Sequence, residues 1–366
     1  MSRTSYHAKS HEERTAGKGG RITPTALDRR ALLLGLAAAG VVLFASGAGS
    51  GWFQWFDTAL AGYLFGVLFF VFATVYRYSV WLRRPPTARL HARGWQALWR
   101  TGERGRNSGS LLGLIVKNLL LQTFIFKRSK TRWVAHQTLF WGCMLAVAVT
   151  FPLTLGWIHF TSAGQSPTTY ETTFTTFTVL EFEIDGVVAW LFFHALDISA
   201  VLVLVGVFIF LFRRLKEPGA LATTRSNDHL ALAGLFAVSV TGLMLTVSHQ
   251  FLDGQFYSFI NVLHALTVMV GLAYIPFGKL FHIFQRPANL GVQFYKREAA
   301  AGEPATCSEC GEGFASQLQV GDLKDILPDL GFDYDHPDGG NWQDVCPACR
   351  RRLLARTQSL RVGGFG

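Results

Sequence analysis

Charge is scarce in this 366-residue chain: 16% of the residues are Asp, Glu, Lys or Arg, and 50% are hydrophobic. Soluble domains carry about 25% charged residues, so an ordinary water-soluble fold is excluded. Acids are scarcer than bases, 24 against 34, giving a formal net charge of +10. The basic excess sits in connections between apolar runs, so it does not imply a nucleic-acid partner. Cysteine is rare and unevenly placed: Cys143 stands alone in the apolar body, and the other four lie at 307, 310, 346 and 349. Neither C-x-x-C pair continues with His, which excludes covalent c-type haem. Internal repeats are absent, and so is any constellation for chemistry on a final substrate.

Long apolar runs are abundant. Six span approximately 31–49, 57–81, 134–158, 187–212, 229–249 and 258–284. About 20 helical residues cross the hydrocarbon core, and lipid offers no partner for free backbone groups, so each run is expected to be a helix. The connection from Leu82 to Trp133 holds twelve Lys or Arg and the single acid Glu103, whereas His159 to Asp185 holds four acids and no Lys or Arg. Basic and non-basic connections alternate, as the positive-inside rule requires. The expectation is a multi-pass protein of the plasma or cell inner membrane with both termini cytoplasmic. The first run has a second reading. Asp28-Arg29-Arg30 followed by Ala31-Leu32-Leu33-Leu34 also fits a twin-arginine export signal, with Ala45-Ser46-Gly47-Ala48 as its cleavage region.

The expected organisation is a disordered basic N-terminus at 1–28, an N-terminal transmembrane helix or export signal at 29–56, a membrane domain at 57–285, a linker at 286–302 and a soluble domain at 303–366. The stretch Leu111–Leu121 is too short and polar to span, and is expected along the cytoplasmic membrane surface. Residues 303–345 carry ten acids and one Lys, which suggests a partner-docking surface or simply a solvated face. Cys307-Ser308-Glu309-Cys310 and Cys346-Pro347-Ala348-Cys349 form two knuckles whose four thiolates can close a tetrahedral site. Zinc is one candidate occupant. Rubredoxin-like iron is the other, although Arg350 stands where rubredoxin has glycine. Cys143 reads as a packing residue.

Histidines at membrane depth need a reason, because ionisable groups there are costly. His264 and His282 lie eighteen residues apart in the last run. In one continuous helix that is five turns, which puts both on one face about 27 Å apart. Neutral imidazole is a good iron ligand, so two stacked haems are expected. His136 matches His282 in depth at the inner end, and His194 matches His264 at the outer end. The alternative is four core histidines hydrogen-bonded to neighbouring helices. His159, His229 and His249 read as interfacial. Lys279, Arg286 and Arg132 flank the inner pair, as haem-propionate partners or as ordinary snorkelling cations. Asp197, one turn from His194, is either a proton acceptor for quinol or a structural carboxyl.

These residues bear a resemblance. Ile275-Pro276-Phe277-Gly278-Lys279-Leu280-Phe281-His282-Ile283-Phe284, with His264 before it, resembles the last helix of the respiratory nitrate reductase gamma subunit, a five-helix dihaem cytochrome b. Ala61-Gly62-Tyr63 through Arg77-Tyr78, and Arg213-Arg214-Leu215 through Ala222-Thr223-Thr224, are similar to other parts of that family. Phe126 through His136 resembles the membrane haem subunits of heterodisulfide-reductase-like and sulfite-reductase-associated complexes. The likeness covers about 57–297. It implies two b haems, with His136 and His282 on the inner one and His264 on the outer. It also implies oxidation of a membrane quinol or menaquinol and a cytoplasmic iron–sulfur or molybdenum partner. Where the family has a second histidine, ten residues after the match to His136, this chain has Ala146. His194 is the substitute by depth alone. The fold class expected is an all-α membrane protein: a five-helix cytochrome b core, one N-terminal helix and a small zinc-ribbon- or rubredoxin-like domain. The rival readings are a haem-free anchor that recruits a partner through the cysteine domain, and a proton-coupled transporter.

Overall fold

The computed structural model describes residues 27–100, 104–163, 168–175, 177–217, 219, 226–335 and 340–362. The disorder expected of 1–28 falls on residues outside this set, except that Asp28 is the N-cap of the first helix. Its carboxylate accepts from the Ala31 N–H at 3.1 Å. The helices, numbered in chain order, are α1 Arg29–Gly49, α2 Ala61–Leu82, α3 Thr87–Leu98, α4 Arg104–Leu114, α5 Thr123–Phe126, α6 Lys130–Thr154, α7 Val187–Lys216, α8 Ser226–Phe251, α9 Tyr257–Tyr274, α10 His282–Ala301, α11 Gln317–Asp329 and α12 Pro347–Val362. Six segments are long and apolar enough to cross a membrane: Arg29–Gly49, Thr58–Leu82, Lys130–Thr154, Val187–Lys216, His229–Phe251 and Tyr257–Tyr274. The chain is therefore a mostly helical, multi-pass membrane protein.

The described residues form two compact units: Asp28–Val80 with Gly113–Arg286, and Trp81–Leu112 with the chain from Pro287 onward. In the first unit, α6 packs along α7, and α8 lies between α7 and α9. Small residues bring α6 and α7 together. A Cβ on Gly206 would sit 2.6 Å from Leu139 Cγ and 2.7 Å from the Ala135 carbonyl oxygen, so no larger side chain fits there. The Ser199 hydroxyl donates to the Gly142 carbonyl at 2.8 Å across the same seam. In lipid, such close packing and interhelical hydrogen bonds replace the hydrophobic drive. Outward faces are apolar, with Phe65, Phe208 and Val270 exposed. The C-terminal end of α1 is built into the bundle: Ser46 donates to the Leu155 carbonyl at 3.0 Å, and Trp157 Nε1 donates to the Ala45 carbonyl at 2.9 Å. The small residues that read as a cleavage region are thus packing residues in this structure.

Two expectations need correcting. The fold is not all-α. The connection before α7 forms an antiparallel meander of β1 Ile158–Ser162, β2 Thr169–Phe174 and β3 Phe177–Glu183, in the order β1-β2-β3. Thr and aromatic residues are frequent in it, and both suit a pleated surface. Phe160 and Phe182 turn to one face and meet Phe192 and Phe193 of α7. Phe182 stacks on Phe192 with ring centroids 5.6 Å apart.

The last apolar run, 258–284, is also not one helix. It ends at Tyr274, passes through Ile275–Gly278 and a 3₁₀ turn at Lys279–Phe281, and restarts at His282. Pro276 has no N–H to continue the ladder. Gly278 is extended, with φ −90° and ψ −169°. The five-turn phase between His264 and His282 therefore does not exist. Arg77 of α2 caps the break: its guanidinium donates to the freed Pro276 carbonyl and lies 4.3 Å from the Phe281 ring centroid. The stretch read as a linker, 286–302, is helical over most of its length within α10.

The second unit joins α3, the later part of α10 and the cysteine domain. β4 Pro304–Thr306 and β5 Gly313–Ser316 form a two-stranded antiparallel sheet beside α11 and α12. A Cβ on Gly94 would lie 2.6 Å from the Gly291 backbone, so α3 and α10 cross nearly backbone to backbone. Arg89 and Arg93, one turn apart, present their charges to α11. Arg93 grips the buried Asp322 through both Nε (3.2 and 3.1 Å) and Nη2 (2.9 Å), and Arg89 reaches Asp325 at 2.7 Å. Burial, with the Asp322 carboxylate beside it, pushes the Tyr295 phenol up to about 12. Part of the acidic surface that suggested an outside partner is thus satisfied within the chain.

Candidate metal and haem-ligating sites

The four cysteines converge. Their Sγ atoms all lie within 4.8 Å of one another, and none is in a disulfide. Sγ of Cys310 and Sγ of Cys346 are 3.9 Å apart. A tetrahedron with metal–sulfur bonds of about 2.3 Å has edges of about 3.8 Å, so the thiols already sit at ligand spacing. Backbone N–H groups point at the sulfurs: Cys346 N–H donates to Cys307 Sγ at 3.2 Å, Glu309 N–H to the same sulfur at 3.4 Å, and Cys349 N–H to Cys346 Sγ at 3.4 Å. The Cys346 N–H is the main cause that lowers the Cys307 thiol to about 6, toward the thiolate a metal requires. Cys307, Val345, Cys346 and Cys349 are buried, with Phe314 and Leu353 against them. Arg350 is accommodated outside the ring of sulfurs. Its guanidinium donates to the carbonyls of Trp342 and Val345 and to Gln343 Oε1, bracing the turn before the second knuckle. These four residues can hold a metal ion.

The histidines behave differently. His136, in the second turn of α6, and His282, at the start of α10, lie close enough for their ring charges to interact, with Arg286 close by as well. His282 Nδ1 is 2.8 Å from the Lys279 carbonyl. A carbonyl only accepts, so the ring proton is on Nδ1 and the Nε2 lone pair is open. That is the tautomer a metal-ligating histidine needs. His136 Nδ1 is buried with no hydrogen-bond partner among the described residues. Arg286 lies over the Phe124 ring at 4.8 Å. Arg132 is exposed at the first turn of α6, its N–H bonded to the Ser129 hydroxyl at 3.4 Å, and Lys279 supplies the carbonyl that orients His282. An open imidazole nitrogen and an orphaned buried one fit the donor set a haem iron takes.

The outer pair does not form. His194 has both nitrogens engaged, Nδ1 with the Trp190 carbonyl at 3.0 Å and Nε2 with Gln250 Nε2 at 3.2 Å, and its ring stacks on Trp190. His264 Nδ1 is 3.0 Å from Thr241 Oγ1. Gln250 and Thr241 are nine residues apart on α8, which is about 13 Å of rise and half a turn of rotation. α8 therefore stands between His194 and His264, and the two imidazoles cannot meet at one iron. Matching depth said nothing about which helix intervenes. Asp197 accepts from the Thr246 hydroxyl at 2.7 Å, one turn along α8 from Gln250. The Thr241 hydroxyl also contacts the Ala237 carbonyl at 2.7 Å and, having one proton to give there, accepts from Nδ1–H of His264. His264 is thus held against Thr241 of α8.

Arg77 was not singled out as a site residue. The signal was available, since it is the only charged residue in α2 and charge at that depth is rarely idle. Thr241, Thr246 and Gln250 carried no such signal. Comparison with family models, curated proteins and solved structures finds no match.

Proposed function

We propose that this chain is the membrane electron-transfer subunit of a quinol-linked oxidoreductase, with its basic connections and both termini on the cytoplasmic side of the inner or plasma membrane. The observation that carries the reading is the buried Nδ1 of His136, which has no hydrogen-bond partner among the described residues, together with His282, near enough for their charges to interact and held in the ligating tautomer by the Lys279 carbonyl. A haem b held between them would supply one-electron chemistry near the basic face of the bundle. Arg286 and Lys279 put positive charge beside the imidazoles and suit anionic propionates. Asp197, fixed by Thr246, is the carboxyl for accepting a proton at the other end of the bundle. His264 is a candidate ligand of a second haem whose other ligand is not His194. The cysteine domain, with zinc as its structural metal or iron as a redox one, belongs to the cytoplasmic C-terminal region in this topology, the compartment of a soluble iron–sulfur or molybdenum partner. The respiratory nitrate reductase gamma-like resemblance agrees with this assignment.

The test is the spectrum of purified full-length protein after dithionite reduction. A b-type haem spectrum that His282→Ala removes or halves is expected. Protein that binds no haem in membranes or after haem addition would leave the haem-free anchor as the better reading.

A further inference from the structure

Helix α3 has sides of different chemistry. Gly94, Ala97 and Leu98 are buried on the first. Arg89 and Arg93 turn to the carboxylates of α11 on the second. The third carries His91, Trp95 and, at the C-cap, Trp99, spaced four residues apart and so in one row along the helix. Their rings form a ladder. The His91 and Trp95 centroids lie 6.4 Å apart with the planes 13° from parallel, and the Trp95 and Trp99 centroids lie 5.7 Å apart. Trp95 is nonetheless 57% exposed and Trp99 47%. Neighbouring exposed indoles differ from the singly scattered apolar residues of an ordinary surface. The chain from Arg83 to Trp99 contains no acid. Neither the cysteine cluster nor the histidine sites use this row.

We propose that the His91–Trp95–Trp99 row is a membrane-surface anchor, its indoles lodged at headgroup level on the side of the bilayer where α2 ends. Position supplies the first argument. α2 ends at Leu82, closing a segment long and apolar enough to cross a membrane, and α3 begins at Thr87. The five Cα steps between them reach at most about 18 Å, so the start of α3 is confined to the neighbourhood of the lipid. Length supplies the second. The twelve residues of α3 rise about 18 Å, short of the hydrocarbon core of about 30 Å, so the helix runs along the surface and not across it. Side-chain chemistry supplies the third. Indole has an apolar body and one N–H donor, and it collects at membrane–water interfaces, where one end is dry and the other wet. Arginines on the side away from such a row complete the pattern of an interfacial helix. The inference does not depend on the haem reading.

The test uses full-length protein labelled with fluorotryptophan and reconstituted in nanodiscs of phosphatidylcholine and phosphatidylglycerol. Fluorine NMR of the Trp95→Phe variant identifies the Trp95 resonance by its loss, and the substitution keeps an aromatic ring in the row. Two relaxation agents are then compared on the wild-type protein: a lipid carrying a nitroxide just below its headgroup, and a water-soluble gadolinium chelate. Trp141, midway along the α6 span and 47% exposed, is the lipid-facing reference, read with a nitroxide at the end of the acyl chain. The Trp95 resonance is expected to lose more intensity with the headgroup-level nitroxide than with the chelate. Equal or greater loss with the chelate overturns the proposal, because the row then faces water. No loss with either agent overturns it as well, because protein then covers the row.

Discussion

The cysteine cluster and the histidine sites are assembled in opposite ways. Each cysteine knuckle is a four-residue unit whose own backbone N–H groups aim at its sulfurs, and the two knuckles meet inside one small domain. The histidines belong to separate membrane helices, and whether two of them meet depends on what lies between. His136 and His282 lie near enough for their charges to interact, whereas His194 and His264 face opposite flanks of α8. Local spacing specifies a site directly. Depth in a membrane specifies only a level, and the bundle order decides which side chains share it.

Experiments can break or sharpen this contrast. The largest effect is expected from Cys346→Ser, which should abolish metal binding and unfold residues 303–362, since a small four-cysteine domain draws its folding energy from its ion. Metal analysis and limited proteolysis would show it. One metal per chain retained in the variant would break the picture of a closed tetrahedral site. Next is His136→Ala, expected to remove the same haem signal as His282→Ala. A signal lost in only one of the two would mean that they do not share an iron. Gly206→Leu forces a side chain into the seam that positions His136. It should cost about 1–3 kcal/mol in unfolding free energy, measured by thermal denaturation, and lower haem content with it. Asp322→Asn leaves Arg89 and Arg93 without their shared carboxylate, and a loss of about 1–3 kcal/mol is expected. Faster hydrogen exchange in α3 with metal content unchanged would show it. The smallest effect is expected from His194→Ala. It loses a contact with Gln250 worth about 1 kcal/mol and should leave the haem spectrum as it was. A missing haem in that variant would restore the outer pairing that α8 now forbids.

The six spans were legible because nothing but a helix satisfies a backbone in lipid, and the cysteine site because C-x-x-C is a short-range pattern. The break at Pro276 was harder to see. Phe277, Leu280, Phe281, Ile283 and Phe284 keep the segment apolar beyond the proline, so hydropathy ran on where backbone chemistry stopped. The meander was hidden for a related reason: in a chain dominated by apolar runs, a Thr-rich connection reads as a loop unless its content of β-branched and aromatic residues is weighed. Arg77 was visible as a lone charge, but its role needed the free carbonyl that only the broken helix provides. The Arg89–Arg93–Asp322 contact joins positions more than two hundred residues apart, and no local pattern announces it.

That contact ties the basic connection to the cysteine domain. Arg93 and Arg89 hold Asp322 and Asp325 of α11, the helix that packs on the β4–β5 sheet next to the first cysteine knuckle. A disturbance of the fold around the four sulfurs would therefore reach 87–98, a segment that contains none of the candidate ligands.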